Sequence, residues 1–181
     1  MESVGFNQEL PFLLPTAIST ADYKEGMDVN LKVSNSFGQG DVLVTPLQMA
    51  VAYAAFANGG KVLEPHIVQH FLTPAGEEVK RAKPTVVHQI SPSYAAILRE
   101  DLVATGETIG LDEALGQRAG GKTGTAETAN NSTNAWTIGF APADDPKVVV
   151  CVVMEDDGRS GAEAAMPVVA EILSQALAAQ E

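Results

Sequence analysis

Apolar positions along this chain repeat with two different periods, and the period changes at recognisable breaks. The clearest helical stretch is "TPLQMAVAYAAFANGG" (45–60). Thr45 offers a cap, Pro46 fits the first helical position, and Gln48 stands where a capping box needs its partner. Leu47, Val51, Ala54 and Ala55 follow helical spacing, and Gly59 supplies a left-handed stop. Small apolar residues on nearly every side predict that this helix is buried. Ser91-Pro92 opens a second helix, expected to reach about Thr105 with Tyr94, Ile97, Leu98 and Leu102 on one side. Gly106 to Leu115 reads as a polar connection or a short helical turn. In "AAMPVVAEILSQALAA" (164–179), Val168, Val169, Ile172, Leu173, Ala176 and Leu177 recur at helical spacing. That predicts a C-terminal helix beginning or kinking near Pro167.

Between the helices the pattern changes to strands. "HIVQHFL" and "EEVKRAK" flank Pro74-Ala75-Gly76 and read as a hairpin within a β-rich stretch, 62–90. In "AWTIGFA" (135–141), Trp136, Ile138 and Phe140 alternate with Thr137 and Gly139, the pattern of a half-buried strand. "KVVVCVVM" (147–154) is continuous and β-branched, as in a central strand covered on both faces. Only "PADDP" separates these two, which implies an antiparallel pair. Residues 1–40 are broken by Pro11, Pro15, Gly26, Gly38 and Gly40, and read as a loop-rich lead-in. The expected architecture is α+β: an antiparallel sheet with helices packed on its faces.

Composition narrows the functions available. The 181 residues suffice for one domain with a core, and a net charge of −12 opposes binding to nucleic acid or to an anionic membrane surface. The apolar run 148–154 is too short to span a bilayer. "MESVGFNQEL" has neither the basic nor the apolar region of a signal peptide. The single cysteine, Cys151, sits in an apolar run and reads as a buried structural thiol. His66 and His70 are four apart, but Pro65 and the strand-like context place them in β structure, and no acid or cysteine at ligand spacing completes a metal site. Glu155-Asp156-Asp157-Gly158 reads as a solvated strand exit.

One octet raises a sharper possibility. "GQRAGGKT" (116–123) fits G-x-x-x-x-G-K-[ST], the phosphate-cradling loop, and "VVVCVVMEDD" (148–157) looks like an acid-tipped strand for magnesium. Such a loop joins a buried strand to a helix whose amides face the phosphates. Here "GETIGLDEAL" precedes it without a continuous apolar strand, and "GTAETANNSTN" follows without a helical period. Neither flank supports nucleotide binding.

Read forward from Lys122, the residues are "KTGTAE" (122–127) and then "AWTIGFAP" (135–142). This resembles the third active-site motif of the penicillin-binding proteins and serine β-lactamases, where a K-T-G strand lines the cleft. "GQGDVLVTPLQMAVAYAAFANGG" (38–60) and "EPHIV" (64–68) occur in the same order in that family, and the first looks like its monofunctional class B transpeptidases. The resemblance implies an acyl-transfer enzyme whose serine attacks peptidoglycan stem peptides ending in D-Ala-D-Ala, or the β-lactams that mimic them, with no cofactor. Lys122 would then supply the field, and Thr123 a hydrogen bond, for the substrate carboxylate. Gly124 would leave room for the substrate against the strand, and Thr125 would present its backbone N–H as one of two oxyanion-hole donors.

The family's nucleophile lies in S-x-x-K, followed by S-x-N and only then by K-T-G. No serine of this chain has lysine three positions on. Ser132-Thr133-Asn134 spells S-x-N but follows Lys122 instead of preceding it, so it reads as loop composition. "MESVGFN" (1–7) resembles the region just after the second motif. The expectation is therefore the C-terminal portion, 1–181, of a single transpeptidase domain. The catalytic serine and any membrane anchor would lie upstream, and the domain would work on the outer face of a bacterial membrane. On this reading the chain has no direct membrane contact, and the surface left by the missing part favours self-association. The alternative reading is a non-catalytic module that keeps the sheet for binding or scaffolding.

Overall fold

The computed structural model of the chain describes residues 2–180. Met1, the first letter of "MESVGFN", lies outside them. After a 3-10 turn at Glu2–Val4 come helices α1 (Val29–Ser36) and α2 (Pro46–Ala57). Four short strands follow: β1 (Lys61–Leu63), β2 (His70–Leu72), β3 (Glu78–Arg81) and β4 (Val86–Gln89). Then come α3 (Pro92–Thr108), α4 (Leu111–Leu115), β5 (Gly120–Glu127), β6 (Thr133–Ala141), β7 (Val148–Met154) and α5 (Gly161–Ala178). The fold is α+β, as expected.

The main sheet has the order β5-β6-β7, antiparallel throughout. This corrects the assignment of its middle. β6 is central, and almost every residue from Ala135 to Ala141 is buried. Thr137 and Gly139, which the alternation pattern assigned to an open face, lie under α5. The Thr137 hydroxyl is within 2.9 Å of the Gly161 carbonyl oxygen, and a Cβ on Gly139 would stand 2.9 Å from Val169. β7 does have helices over both faces, α5 and α2, but each residue is only half-buried. Its second edge has no strand partner among the described residues. A continuous apolar run thus reported two covered faces, not a central position.

Helix starts follow local hydrogen bonding more than apolar period. α5 begins at Gly161, well before Pro167, because Ser160 and Glu163 form a complete capping box. Pro167 lies inside the helix, in the turn after the capped one, where it gives up one backbone bond. At α2 the expected box is only half made. Thr45 Oγ1 accepts from the Gln48 amide at 3.1 Å, but the Gln48 side chain donates to Val4 O at 2.6 Å. The Thr45 N–H goes to Ser19 Oγ instead, at 3.0 Å, so the lead-in is stitched to α2. That lead-in is also not all loop. Asp28 caps α1 by accepting from the Asn30 and Leu31 amides, and α1 buries no side chain, which is why no core-facing period marked it.

α3 corrects a second expectation. Tyr94, Ile97 and Leu98 are exposed, and the buried line is Ala95, Leu102 and Gly106. The helix packs through small residues, which allow close approach, and it runs to Thr108 because Gly106 is a packing position instead of a stop. Two clusters form most of the core. Val51, Ala52 and Ala55 of α2 meet Phe6 and Val62, while Val169 and Leu173 of α5 meet Leu111 and Ala141. Phe140, with Leu102 and Ala57, joins the sheet to α2 and α3.

The 70–81 hairpin forms around Pro74-Ala75-Gly76, with His70 opposite Arg81, although its strands are shorter than the segments that predicted it. β1 pairs with β4 in a separate two-stranded sheet. His70 lies in β2, but His66 lies in the loop before that strand, so only one of the two is in β structure.

Candidate functional site

Lys122, Thr123, Gly124 and Thr125 occupy the middle of β5, opposite Ile138, Thr137, Trp136 and Ala135 of β6. This settles the geometry of the octet. Gly116 ends α4 in a left-handed conformation (φ 66°), Gly120 and Gly121 are already strand, and another strand follows. Lys122 thus continues a strand and does not open the helix whose N-terminal amides a phosphate loop needs.

The start of β5 is held by close contacts that only small residues permit. A Cβ on Gly120 would overlap the Phe140 ring, and one on Gly121 would stand 2.9 Å from Leu111 and 3.1 Å from the Ile138 carbonyl oxygen. The Ala119 amide donates to Asp112 Oδ1 at 3.0 Å, which ties the strand to α4. Arg118 pairs with Asp144 at 3.1 Å, but both side chains are exposed and this pair adds little.

Strand alternation then divides the four residues. Lys122 and Gly124 share a face with Ile138 and Trp136, while Thr123 and Thr125 share the α5 face with Thr137. Thr125 Oγ1 accepts from the Gly161 amide at 3.3 Å, as a residue on that face must. Lys122 and Thr123 are therefore not side by side on one face. They meet around the outer edge of β5, which has no strand partner among the described residues. Lys122 is exposed, and its Nζ donates to the Thr123 carbonyl oxygen at 2.6 Å. No carboxylate pairs with it among the described residues.

The far end of β5 closes through the Thr128 amide to Ser132 O at 3.0 Å. Asn134 Oδ1 accepts from the Asp156 amide at 2.9 Å, and Thr128 Oγ1 lies 3.1 Å from Asp156 Oδ1. The Ser132-Thr133-Asn134 triplet is thus occupied in holding the hairpin to the β7 exit, away from the middle of β5. Half-buried Asp157 pairs with exposed Arg159, whose guanidinium hydrogen bond holds its carboxyl below the usual range. Cys151 is chemically quiet, since burial pushes its thiol up to about 12. Burial, with Cys151 nearby, does the same to Tyr53.

Two residues that shape this site were missed by sequence reading. Gly161 lies over the strand pair at Gly124 and Trp136, and Thr137 reaches its carbonyl. The S-x-x-E spacing of Ser160 and Glu163 carried a signal for the helix start, but nothing in the sequence marked Gly161 as a contact of β5.

The chain is similar to known proteins in both sequence and fold. Residues 1–174 match the penicillin binding protein transpeptidase domain. The chain is 34% identical over 154 residues to the peptidoglycan D,D-transpeptidase PbpA of Mycolicibacterium smegmatis, covering 82% of this chain and 31% of that protein. It is 35% identical over 162 residues to stage V sporulation protein D of Bacillus subtilis, covering 81% of this chain and 24% of that one. Penicillin-binding protein A from M. tuberculosis, solved as a ceftriaxone acyl-enzyme complex, superposes with a TM-score of 0.87 at 31% identity, over 97% of this chain and 42% of that one. The D,D-transpeptidase domain of a peptidoglycan glycosyltransferase from Eggerthella lenta gives 0.77 at 31% identity, over 99% and 46%. The chain thus spans under half the length of these relatives. By its sequence match and its superposed fold alike, the chain belongs to the class B penicillin-binding protein transpeptidases.

Proposed function

We propose that this chain supplies the substrate-carboxylate and oxyanion strand of a peptidoglycan D,D-transpeptidase. The observation that carries this reading is the Lys122 ammonium, which pairs with no carboxylate among the described residues, resting on the Thr123 carbonyl at a strand edge that no described strand covers. For Nζ to reach that oxygen, the Thr123 carbonyl faces outward. Residues two apart on a strand present their backbone groups to the same edge, so the Thr125 N–H faces outward as well.

An extended peptide lying along this edge meets three groups in order. Its terminal carboxylate sits between the Lys122 ammonium and the Thr123 hydroxyl, which reach around the edge from opposite faces. Gly124 keeps the strand low beneath it. The carbonyl under attack lies toward Thr125, whose N–H stabilises the oxyanion as the tetrahedral intermediate forms. The attacking serine, its lysine and the second motif come from outside these residues, so the chain alone carries no nucleophile. The substrates are stem peptides ending in D-Ala-D-Ala and β-lactams, and the enzyme works on the outer face of a bacterial membrane. Uncovered apolar surface gives the isolated chain a tendency to self-associate.

Titration of the 15N-labelled chain with N-acetyl-D-Ala-D-Ala, followed by amide chemical shifts, tests the strand assignment. The expected result is a saturable response at Lys122–Thr125, weakened roughly 10- to 100-fold by Lys122→Ala through loss of a charge-assisted bond. Identical titrations for the two proteins contradict it.

A further inference from the structure

The N-terminal turn of α5 sits against the strand pair that carries the proposed oxyanion donor. A Cβ built on Gly161 would stand 2.5 Å from the Gly124 carbonyl oxygen and 3.1 Å from its nitrogen, and it would come closer still to the Trp136 carbonyl oxygen. All three are backbone atoms of the directly opposed pair Gly124 and Trp136, so no side chain can swing aside to make room. Gly161 is buried and its φ is not in the left-handed region, so packing, not backbone conformation, demands glycine here.

Both backbone groups of Gly161 are also used. Its amide donates to Thr125 Oγ1 at 3.3 Å, and its carbonyl accepts from the fully buried Thr137 Oγ1 at 2.9 Å. Thr137 is paired with Thr123 across the strands. The helix start therefore touches β5 at Thr125, overlies it at Gly124, and reaches the partner of Thr123 through Thr137. The turn itself is fixed by the Ser160–Glu163 capping box.

We infer that Gly161 and Thr137 are positioning residues, which set the placement of the Gly124–Thr125 peptide relative to Lys122 and so aim the Thr125 N–H at the reacting carbonyl. The inference rests on the proposed role of the strand and adds residues outside the K-T-G motif to it. Its consequence is a division of labour. Disturbing the α5 turn displaces Thr125 while leaving the exposed Lys122 ammonium free to hold a carboxylate. A displacement of about 1 Å at such a donor is enough to cost roughly a hundredfold in rate in enzymes generally.

The test is the N-acetyl-D-Ala-D-Ala titration repeated on Gly161→Ala, Thr137→Val and Thr137→Ser. In Gly161→Ala and Thr137→Val the dissociation constant should stay within about 3-fold, and Lys122 and Thr123 should still respond. The Thr125 amide response should fall below about one third of its original size. Thr137→Ser, which keeps the hydroxyl, should restore it, whereas a general loosening of the sheet would not discriminate Val from Ser. Should Gly161→Ala fail to fold, the Val and Ser pair still decides. An undiminished Thr125 response in Thr137→Val overturns the inference. Absence of any response at Lys122–Thr125 in the original chain defeats the carboxylate-strand reading, and the inference with it.

Discussion

A methyl carbon placed on Gly106 would overlap the backbone carbonyl oxygen of Ala119, so α3 lies against the start of β5 at a separation only glycine allows. The position is in a helix interior, where glycine is ordinarily about 1 kcal/mol worse than alanine. Here the clash wins. Gly106→Ala should destabilise the chain by about 1–3 kcal/mol, the usual cost of overpacking, and lower Tm by several degrees. Thermal unfolding followed by circular dichroism checks this. A raised Tm would mean that helix propensity, not packing on β5, governs the site.

The α5 cap makes part of the stability acid-sensitive. Glu163 is held below its ordinary pKa by the Ser160 hydroxyl and then by the Ser160 amide. A carboxyl depressed in the folded state contributes stability that is complete above its unfolded value of about 4.3 and is lost as pH falls through the folded value. Glu78 and Asp157, depressed by Arg81 and Arg159, share that acid loss. Comparing Tm against pH for the chain and for Glu163→Gln isolates the cap. The two curves should separate near neutral pH and converge in acid; parallel curves would remove the cap from the account.

Cys151 should resist thiol–disulfide exchange. With burial raising its thiol to about 12, almost none is thiolate at neutral pH. Ellman's reagent should label the native chain at least about a hundredfold more slowly than the urea-unfolded chain. Equal rates would show that β7 opens freely at its unpaired edge.

Where the sequence was readable and where it was not follows from the kind of contact involved. α2 and the 70–81 hairpin were legible because cap, proline, glycine and turn residues act locally. The residues proposed for the site, Lys122 to Thr125, could be picked out because they form one consecutive run, which the structure places in β5. β6 and β7 exchanged roles because both of their faces are covered and hydropathy cannot show which strand owns the sheet's middle. The burial of α3 through Ala95 and Gly106 was hidden because small residues carry almost no hydrophobic signal. Gly161 was invisible as a site residue because its contact with Gly124 spans 37 positions of chain, the difference of their numbers.

The exposed apolar side chains give a prediction about association. Val29 and Val33 on α1 and Phe37 at its C-terminal cap are 70%, 55% and 67% exposed; Tyr94 and Ile97 on α3 are 69% and 55% exposed. Light scattering coupled to size exclusion should show a mass that rises with concentration, and Val33→Glu with Ile97→Glu should reduce the rise. A monomer at all concentrations would contradict it.

The most direct test of the central claim, that this chain provides a substrate strand without the nucleophile, is labelling with a fluorescent penicillin followed by peptide mapping. The chain alone should remain unlabelled. The protein encoded by its extended reading frame should be labelled on a serine of an S-x-x-K motif outside these residues, and Lys122→Ala should slow that labelling. Stoichiometric labelling of any serine within this chain would contradict the claim.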